Sequence, residues 1–341
     1  DLRRLNECLL VEDSPLPRCD DAIAQLGKAT AKLSGAVYYH TLDLTAGFWA
    51  LSIKPAHRER TAFVTNLGKW QFRRLPFGLR SGPSYMQRLM ESTLQGLSWE
   101  ICLPYLDDIA IWAAGDTPEA AFEQALERLD TVLERLEWAG LTCKPVKCTL
   151  FAPQVEYLGH ICSREGVSLD PKKMDGIRKI PAESIDSLTK VRSFLGLCGY
   201  YRRHVKDYHL MSEPLVELTK QGVKFPEAAD NPRVHKAVND LKEALCSNPV
   251  LAYPRNDREF IVKTDAATGH GIGAVLVQRD DPDENGVPGE ERPVCYYGRK
   301  FSPAENDYSA TEAELLGVVS AIQQFRPYLW GRRFRVVTDH A

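Results

Sequence analysis

The run Ile101-Cys-Leu-Pro-Tyr-Leu-Asp-Asp-Ile-Ala-Ile-Trp112 sets two adjacent carboxylates inside an otherwise apolar, β-type stretch. Short apolar runs rich in Ile and aromatic residues read as buried strands, and a polar pair between two of them reads as a turn. The expectation is therefore two antiparallel strands with Asp107 and Asp108 at the tip between them. Ionised carboxylates beside buried strands are costly unless a positive charge offsets them, and a hard divalent cation does so. An ordinary solvent-exposed Asp-Asp turn is the other reading, and the pair alone does not choose between them.

Working outward, Thr41-Leu-Asp-Leu-Thr-Ala-Gly-Phe48 puts Asp43 at the end of another β-type run, followed by Gly47 and an aromatic residue. Three carboxylates from two strand ends can hold two Mg²⁺ ions about 4 Å apart, an arrangement that stabilises attacking and leaving oxygens in phosphoryl transfer. Leu75-Pro-Phe-Gly-Leu-Arg-Ser-Gly-Pro-Ser-Tyr-Met-Gln-Arg-Leu-Met90 reads as a Gly-rich turn entering a helix, a shape that can lie under a base pair. From Asp116 a second helix is expected. Asp116 or Thr117 caps it, Pro118 suits its first turn, and Phe122, Ala125, Leu126, Leu129, Val132, Leu133 and Leu136 form one apolar stripe ending at Gly140. The mixture of short strands, turn signals and amphipathic helices indicates an α+β architecture.

With 341 residues the chain exceeds one small domain. Its 44% hydrophobic and 26% charged content suits packed cores rather than general disorder. No apolar run reaches the roughly 18 residues of a spanning helix, and Asp1-Leu-Arg-Arg4 lacks a signal-peptide pattern, so no membrane partner is expected. Nine scattered Cys suit reduced thiols in a reducing compartment. The net charge of -3 announces no nucleic-acid partner, so such a partner must be sought in local patches. Residues 164–206 hold ten Lys or Arg against five Asp or Glu, including Lys172, Lys173, Arg202 and Arg203, with Tyr200 and Tyr201 among them. A cationic face with aromatics suits a phosphate backbone; an ordinary solvated helical face is equally compatible.

Beyond Pro249-Val-Leu-Ala-Tyr-Pro254 the pattern changes. Phe260–Asp265, Ile272–Gln278 and Val294–Tyr297 read as strands, Thr311–Arg326 as a helix and Phe334–Asp339 as a fourth strand, a β-β-β-α-β order expected to form a separate domain. Residues 280–291 carry six acidic residues and no basic one, and are expected to be an exposed loop tip.

Together the motifs resemble the reverse transcriptase of long-terminal-repeat retrotransposons of the Ty3/Gypsy type. The resemblance runs nearly end to end through Asp1-Leu-Arg-Arg-Leu-Asn6, Pro15-Leu-Pro-Arg18, Leu42–Phe48, Thr61-Ala-Phe63, Leu75-Pro-Phe-Gly-Leu79, Tyr105-Leu-Asp-Asp-Ile109, Tyr157-Leu-Gly-His160, Arg192-Ser-Phe-Leu-Gly-Leu197 and Tyr200-Tyr-Arg-Arg203. It implies a right-hand polymerase with incomplete fingers and a palm over 1–163, a thumb and connection over 164–250, and a ribonuclease H-like domain over 251–341. It implies RNA template, DNA primer, RNA/DNA hybrid and dNTPs as partners, and flanking polyprotein segments such as protease and integrase. The implied cofactor is Mg²⁺, two ions per active site, with Mn²⁺ as a substitute.

Residue by residue, the resemblance implies that Asp43, Asp107 and Asp108 are catalytic and bind metal together with the Leu44 backbone, Asp108 less directly than the other two. Phe48 takes the place of the aromatic that blocks a ribose 2′-OH, although alone it would read as a core residue. Phe77 and Gly78 match positions beneath the incoming nucleotide, Tyr157, Leu158, Gly159 and His160 match the primer grip, and the basic segment maps onto the thumb. In the ribonuclease H part Asp265, Glu314 and Asp339 are the implied catalytic and metal-binding carboxylates. Glu312 projects about 100° away from Glu314 and is left to cap or face solvent.

The chain departs from the family at Ala50, where many members carry Gln, and at Ser81-Gly82-Pro83 in place of Asn-Ala-Pro. It begins within the implied fingers and stops short of a fourth ribonuclease H carboxylate, as a piece of a longer polyprotein would. Cys143 and Cys148 with His160 and Cys162 match no common zinc spacing. The rival function, from a different class, is a catalytically inactive nucleic-acid-binding remnant of a retroelement.

Overall fold

The structure is a computed structural model that describes residues 1–10, 16–30, 36–225, 230–247, 250–267, 270–282, 287 and 289–338. By contacts it divides into two compact units, residues 1–158 with 162–164, and residues 159–161 with 165–341.

The first unit contains α1 (Arg3–Cys8), α2 (Cys19–Thr30), β1 (Ala36–Asp43), β2 (Phe63–Thr65), β3 (Gly68–Trp70), α3 (Gly82–Thr93), β4 (Cys102–Tyr105), β5 (Asp108–Gly115), α4 (Pro118–Trp138), β6 (Thr149–Ala152) and β7 (Gln154–Tyr157). Its main sheet has the order β4-β5-β1-β6, and the pairs β4–β5, β5–β1 and β1–β6 are antiparallel. Residues Ile109 to Ala114 of β5 are all buried, which explains why this strand reads as a continuous apolar run. Both α4 and α2 pack against β5.

Helix α4 begins as expected, with the Thr117 hydroxyl accepting from Ala120 N–H and Pro118 at the first position. Its buried line is narrower than the expected stripe. Ala121, Ala125, Leu129, Val132 and Leu136 are buried, whereas Phe122, Leu126 and Leu133 are exposed. The true contact line follows three- and four-residue steps along one face, and the other three side chains lie at its edge, where Phe122 meets Tyr38 and Phe151.

His40 is a fully buried member of β1 whose Nδ1 accepts from Phe151 N–H at 3.2 Å. Burial pushes its pKa down to about 4, weakly opposed by the Ala125 carbonyl. The folded value lies below the unfolded one, so the unfolded chain binds more protons between those two values. His40 therefore costs nothing above pH 6.5, and stability falls as the pH drops toward 4. From pH 7 to pH 5 the loss expected from this residue is about 2 kcal/mol. In urea unfolding at the two pH values, His40→Asn, which keeps an acceptor but cannot titrate, should remove most of that difference; an unchanged difference would refute the assignment.

The chain passes between the units along β7, β8 (His160–Ser163) and β9 (Val167–Leu169). The second unit continues with α5 (Pro171–Arg178), α6 (Leu188–Tyr200), α7 (Tyr208–Glu217) and α8 (Pro232–Cys246), whose core gathers Val191, Phe194, Cys198, Leu215, Val238 and Leu241. It ends with β10 (Phe260–Ala267), β11 (Gly271–Arg279), β12 (Glu291–Lys300), α9 (Ala310–Leu329) and β13 (Phe334–Val337). The sheet order is β12-β11-β10-β13, with β13 parallel to β10 and the other pairs antiparallel. Helix α9 covers one face over Phe260, Val262 and Leu276. The ends of the acidic 280–291 segment are tied down: Asp280 and Asp281 pair with Arg258, and Glu291 pairs with Lys263 and Arg279. Much of its charge is thus neutralised by β-strand and loop cations, and residues 283–286 and 288 lie outside the described residues.

Candidate active site

The β1–β5 register pairs Ala36 with Gly115 and continues unbroken until Asp43 stands opposite Asp108. On the other side of β5, Tyr105 pairs with Asp108, so Leu106 and Asp107 alone form the turn. Asp107 is therefore the tip residue, and Asp108 is the first residue of the returning strand. Leu106 takes a left-handed conformation, φ 57°, unusual for a residue with a branched side chain. Two backbone bonds close the site: Leu44 N–H donates to the Asp107 carbonyl at 3.1 Å, and Lys144 N–H donates to the Asp43 carbonyl at 2.8 Å.

Three carboxylates thus approach from β1 and the hairpin. Asp108 titrates above the ordinary carboxylate range, first because the strands remove water from around it, then because Asp107 and Asp43 repel its charge, with Lys147 partly opposing. The Lys147 ammonium donates to Asp43 Oδ2 at 2.9 Å, and its own pKa is raised by that carboxylate. One ammonium against three carboxylates leaves an excess of negative charge. An all-oxygen donor set of this kind suits a hard cation such as Mg²⁺ or Mn²⁺ better than zinc, so the residues fit the implied ions. Among the described residues no three His, Cys, Asp or Glu side chains are gathered in metal-holding geometry, and Asp43 is bonded to Lys147. Cys143 beside Cys148 has its thiol pushed up to about 11 by burial, which disfavours the thiolate a zinc ion needs.

Phe48 lies in a short 3₁₀ turn, Gly47–Ala50, directly after β1. Its ring packs on Phe77 with centroids 5.4 Å apart, and a Cβ on Gly82 would sit 3.2 Å from it, so glycine at 82 gives this ring its room. Phe77 is exposed, and Gly78 has φ 90°. Asn6 pins this loop by donating to the Gly78 carbonyl at 2.8 Å and accepting from Arg80 N–H at 2.9 Å.

Tyr157 is buried, and its hydroxyl donates to the Leu103 carbonyl at 3.1 Å. Leu158 and Gly159 both have positive φ and form the turn between β7 and β8. Within the second unit, Gly159 and His160 meet an aromatic cluster: Tyr201 hydroxyl donates to the Gly159 carbonyl at 3.3 Å, and His160 stacks on His204 at 5.3 Å. A Cβ on Gly159 would lie 3.4 Å from Lys173 Nζ. Lys172, Lys173 and Arg202 are exposed, whereas Arg203 is half-buried and donates to the Val294 carbonyl at 3.4 Å.

In the last sheet, Asp265 alternates with Thr264 and Ala266, which face α9 through Gly317. Asp265 therefore points to the opposite face, where it lines a cavity of about 370 Å³ with Lys206, Asp207 and Lys263. Glu314, buried on α9, accepts from Ala266 N–H at 3.1 Å and Thr338 Oγ1 at 2.9 Å. Glu314 thus bonds the backbone of the residue next to Asp265 in β10. Asp339 lies outside the described residues. Glu312 completes a capping box with Ser309.

Residues 1–162 match the family described as reverse transcriptase (RNA-dependent DNA polymerase), and residues 231–336 match the RNase H-like domain found in reverse transcriptase. Residues 1–162 are thus a reverse transcriptase domain and residues 231–336 an RNase H-like domain, and the homologues that span the whole chain are Gypsy-type retrotransposon Pol polyproteins. It is 35% identical over 341 residues to the retrovirus-related Pol polyprotein from transposon 412 of Drosophila melanogaster, covering all of this chain and 25% of that protein. The corresponding polyprotein from transposon gypsy of the same organism is 34% identical, with 31% of its length covered, and the transposon Tf2-3 polyprotein of Schizosaccharomyces pombe is 25% identical, with 24% covered. The chain thus spans about a quarter to a third of the length of these relatives. Among solved structures, the foamy viral protease-reverse transcriptase in complex with dsDNA superposes with a TM-score of 0.80 at 20% identity, covering all of this chain and 66% of that one. The same viral protein in complex with RNA/DNA hybrid gives 0.77 at 21% identity, with 43% covered, so the likeness fixes the fold as that of a reverse transcriptase.

Three residues that build this site are given no role by the sequence, although Asn6 and Gln87 lie in stretches quoted above. Gln87 on α3, only 1% exposed, accepts from Leu106 N–H at 2.9 Å and donates to the Pro104 carbonyl at 3.4 Å, bracing the hairpin that carries Asp107. A polar residue in the apolar Gln87-Met90-Leu94 line was the available signal. Lys147 and Asn6 carry no such local signal, since their partners lie 104 and 72 residues away.

Proposed function

We propose that this chain extends a primer 3′-OH on an RNA or DNA template with dNTPs at Asp43, Asp107 and Asp108, and that residues 251–341 form a ribonuclease H that cuts RNA in RNA/DNA hybrids. The observation that carries the polymerase reading is the β1–β5 register that sets Asp43 opposite Asp108 with Asp107 in the turn beside them. Asp43, Asp107, Asp108 and the Leu44 carbonyl would hold two Mg²⁺ ions, which when bound neutralise charge on the attacking and leaving oxygens. Lys147 fixes the Asp43 carboxylate, and Asn6 holds the loop that presents Phe77 and Gly78 to the nucleotide. Tyr157, Leu158, Gly159 and His160 are assigned to the primer end, and Lys172, Lys173 and Arg202 to backbone phosphates. Arg203, which is bonded to Val294, is assigned to unit packing instead. The ribonuclease H assignment rests on the strand order and on Asp265, Glu314 and Asp339, with domain limits of 1–163, 164–250 and 251–341.

The test is primer extension on an RNA template with dNTPs and Mg²⁺ or Mn²⁺, using the chain alone and with its natural flanks. Mg²⁺-dependent extension is expected. Its absence under every one of these conditions would overturn the polymerase reading.

Phe48→Ala is expected to raise the ratio of rNTP to dNTP incorporation about 10-fold or more, since one steric contact at a substrate discriminates by about 1–3 kcal/mol. Competitive incorporation of the two nucleotide types measures it. An unchanged ratio would return Phe48 to a packing role against Phe77 and Gly82.

A further inference from the structure

A second cavity in the first unit, of about 300 Å³, lies apart from the three carboxylates and has no role in the chemistry above. Its lining is largely leucine, Leu5, Leu9, Leu51, Leu75 and Leu79, with buried Thr61 and Ser81 among them. Its rim carries Lys54, His57 and Arg60, all exposed, and Tyr85 forms part of the wall. None of the described residues that line it is acidic. Arg58, which lies between these cations in sequence, is turned away to the Ile53 carbonyl at 3.0 Å, and Arg74 is held by the Ala50 carbonyl and the Ser52 hydroxyl. Arg58 and Arg74 are thus held by carbonyl and hydroxyl acceptors, while exposed Lys54, His57 and Arg60 line the pocket.

An apolar hollow under a cationic rim selects an amphipathic anion: a flat or aliphatic body that leaves water, joined to a group that keeps its charge beside the cations. A nucleotide combines these features, since a base can settle on leucine side chains while its phosphate meets Lys and Arg. We infer that this cavity is a subsite for a single nucleotide, with the base over Leu5 and Leu51 and the phosphate at Lys54, His57 and Arg60. The choice of a nucleotide over other amphipathic anions rests on the polymerase reading. The nucleotide could be free, or an unpaired unit of a bound strand; the chemistry of recognition is the same.

Fluorescence titration with 2-aminopurine probes distinguishes the sources. The free probe is 2-aminopurine deoxyriboside 5′-monophosphate; the strand probe is a primer-template with a three-nucleotide 5′ overhang carrying 2-aminopurine, compared with its blunt counterpart. For a free nucleotide, saturable binding is expected, with inorganic phosphate competing at least tenfold more weakly than the monophosphate. For a strand, the overhang should tighten binding at least tenfold over the blunt duplex. In either arm Lys54→Ala/Arg60→Ala should remove the gain, and in the strand arm it should flatten the slope of log K against log salt by about 0.7, the share of one phosphate contact. Both substitutions lie on exposed side chains, so an unchanged melting temperature is expected to accompany the loss. Equal affinities of wild type and double variant in both arms would overturn the subsite, as would the absence of saturable binding in both. Repeating the titrations in Asp107→Asn separates the two readings, because binding at this cavity should persist when extension is gone, and failure of wild type to extend a primer would leave the binding outcomes standing.

Discussion

Asp107→Asn is expected to lower primer extension by about 10³-fold or more while primer-template affinity stays within a few fold. The carboxylate is lost, but the Asp107 backbone carbonyl that accepts from Leu44 N–H remains, so the turn should keep its shape. Losing about 4 kcal/mol of charge stabilisation in the transition state corresponds to that factor. Affinity comes mainly from phosphate contacts and should be spared. Asp43→Asn should behave alike in extension, and it also releases Lys147 from its ion pair. A further consequence follows from charge crowding. Asp107 is the neighbour that contributes most to raising Asp108, so Asp107→Asn should bring the Asp108 pKa down toward its ordinary value, readable by carboxyl NMR titration in metal-free protein. The variant should also lose the Mg²⁺-induced rise in melting temperature expected of the wild type. Ordinary extension rates in either variant would end the assignment of this site. Equal primer-template binding by wild type and variants, with no extension by any of them, would instead favour the non-catalytic remnant.

What could be read along the chain was what short-range pattern encodes. The apolar runs on either side of Asp107 and Asp108 specify a hairpin because strands alternate over a few residues and a two-residue turn needs no distant partner. Thr117-Pro118 announces a helix start through a bond that closes within three residues. The β-β-β-α-β order of the last sheet followed from the same local periods. What escaped was whatever depends on sequence-distant surfaces. The width of the buried face of α4 is set by what β5 and β1 present to it, so Leu126 and Leu133 read as core and stand in solvent. Arg203 reads as one more cation in a basic run, yet a carbonyl 91 residues away claims its guanidinium.

Gln87 gives the sharpest test of how the hairpin is held. Its side chain bonds both arms of the turn, accepting from Leu106 N–H and donating to the Pro104 carbonyl, and a bond from its Nε2 to Glu91 Oε1 at 3.0 Å steadies it on α3. Gln87→Met keeps the volume and removes the polar atoms. The Leu106 amide, in a residue already held at φ 57°, then loses its acceptor on the buried face of α3. An unsatisfied buried donor costs about 1–3 kcal/mol, which should appear as a lower urea midpoint with an unchanged m-value. The larger effect is expected in activity. If the turn relaxes to find water for that amide, Asp107 moves with it, and a shift of about 1 Å at a reacting site costs about 100-fold. Extension should therefore fall by one to two powers of ten, with a higher Mg²⁺ concentration needed for half-maximal rate, while primer-template binding is unchanged. A loss of stability with no change in rate or Mg²⁺ requirement would show that Gln87 supports the fold without positioning Asp107.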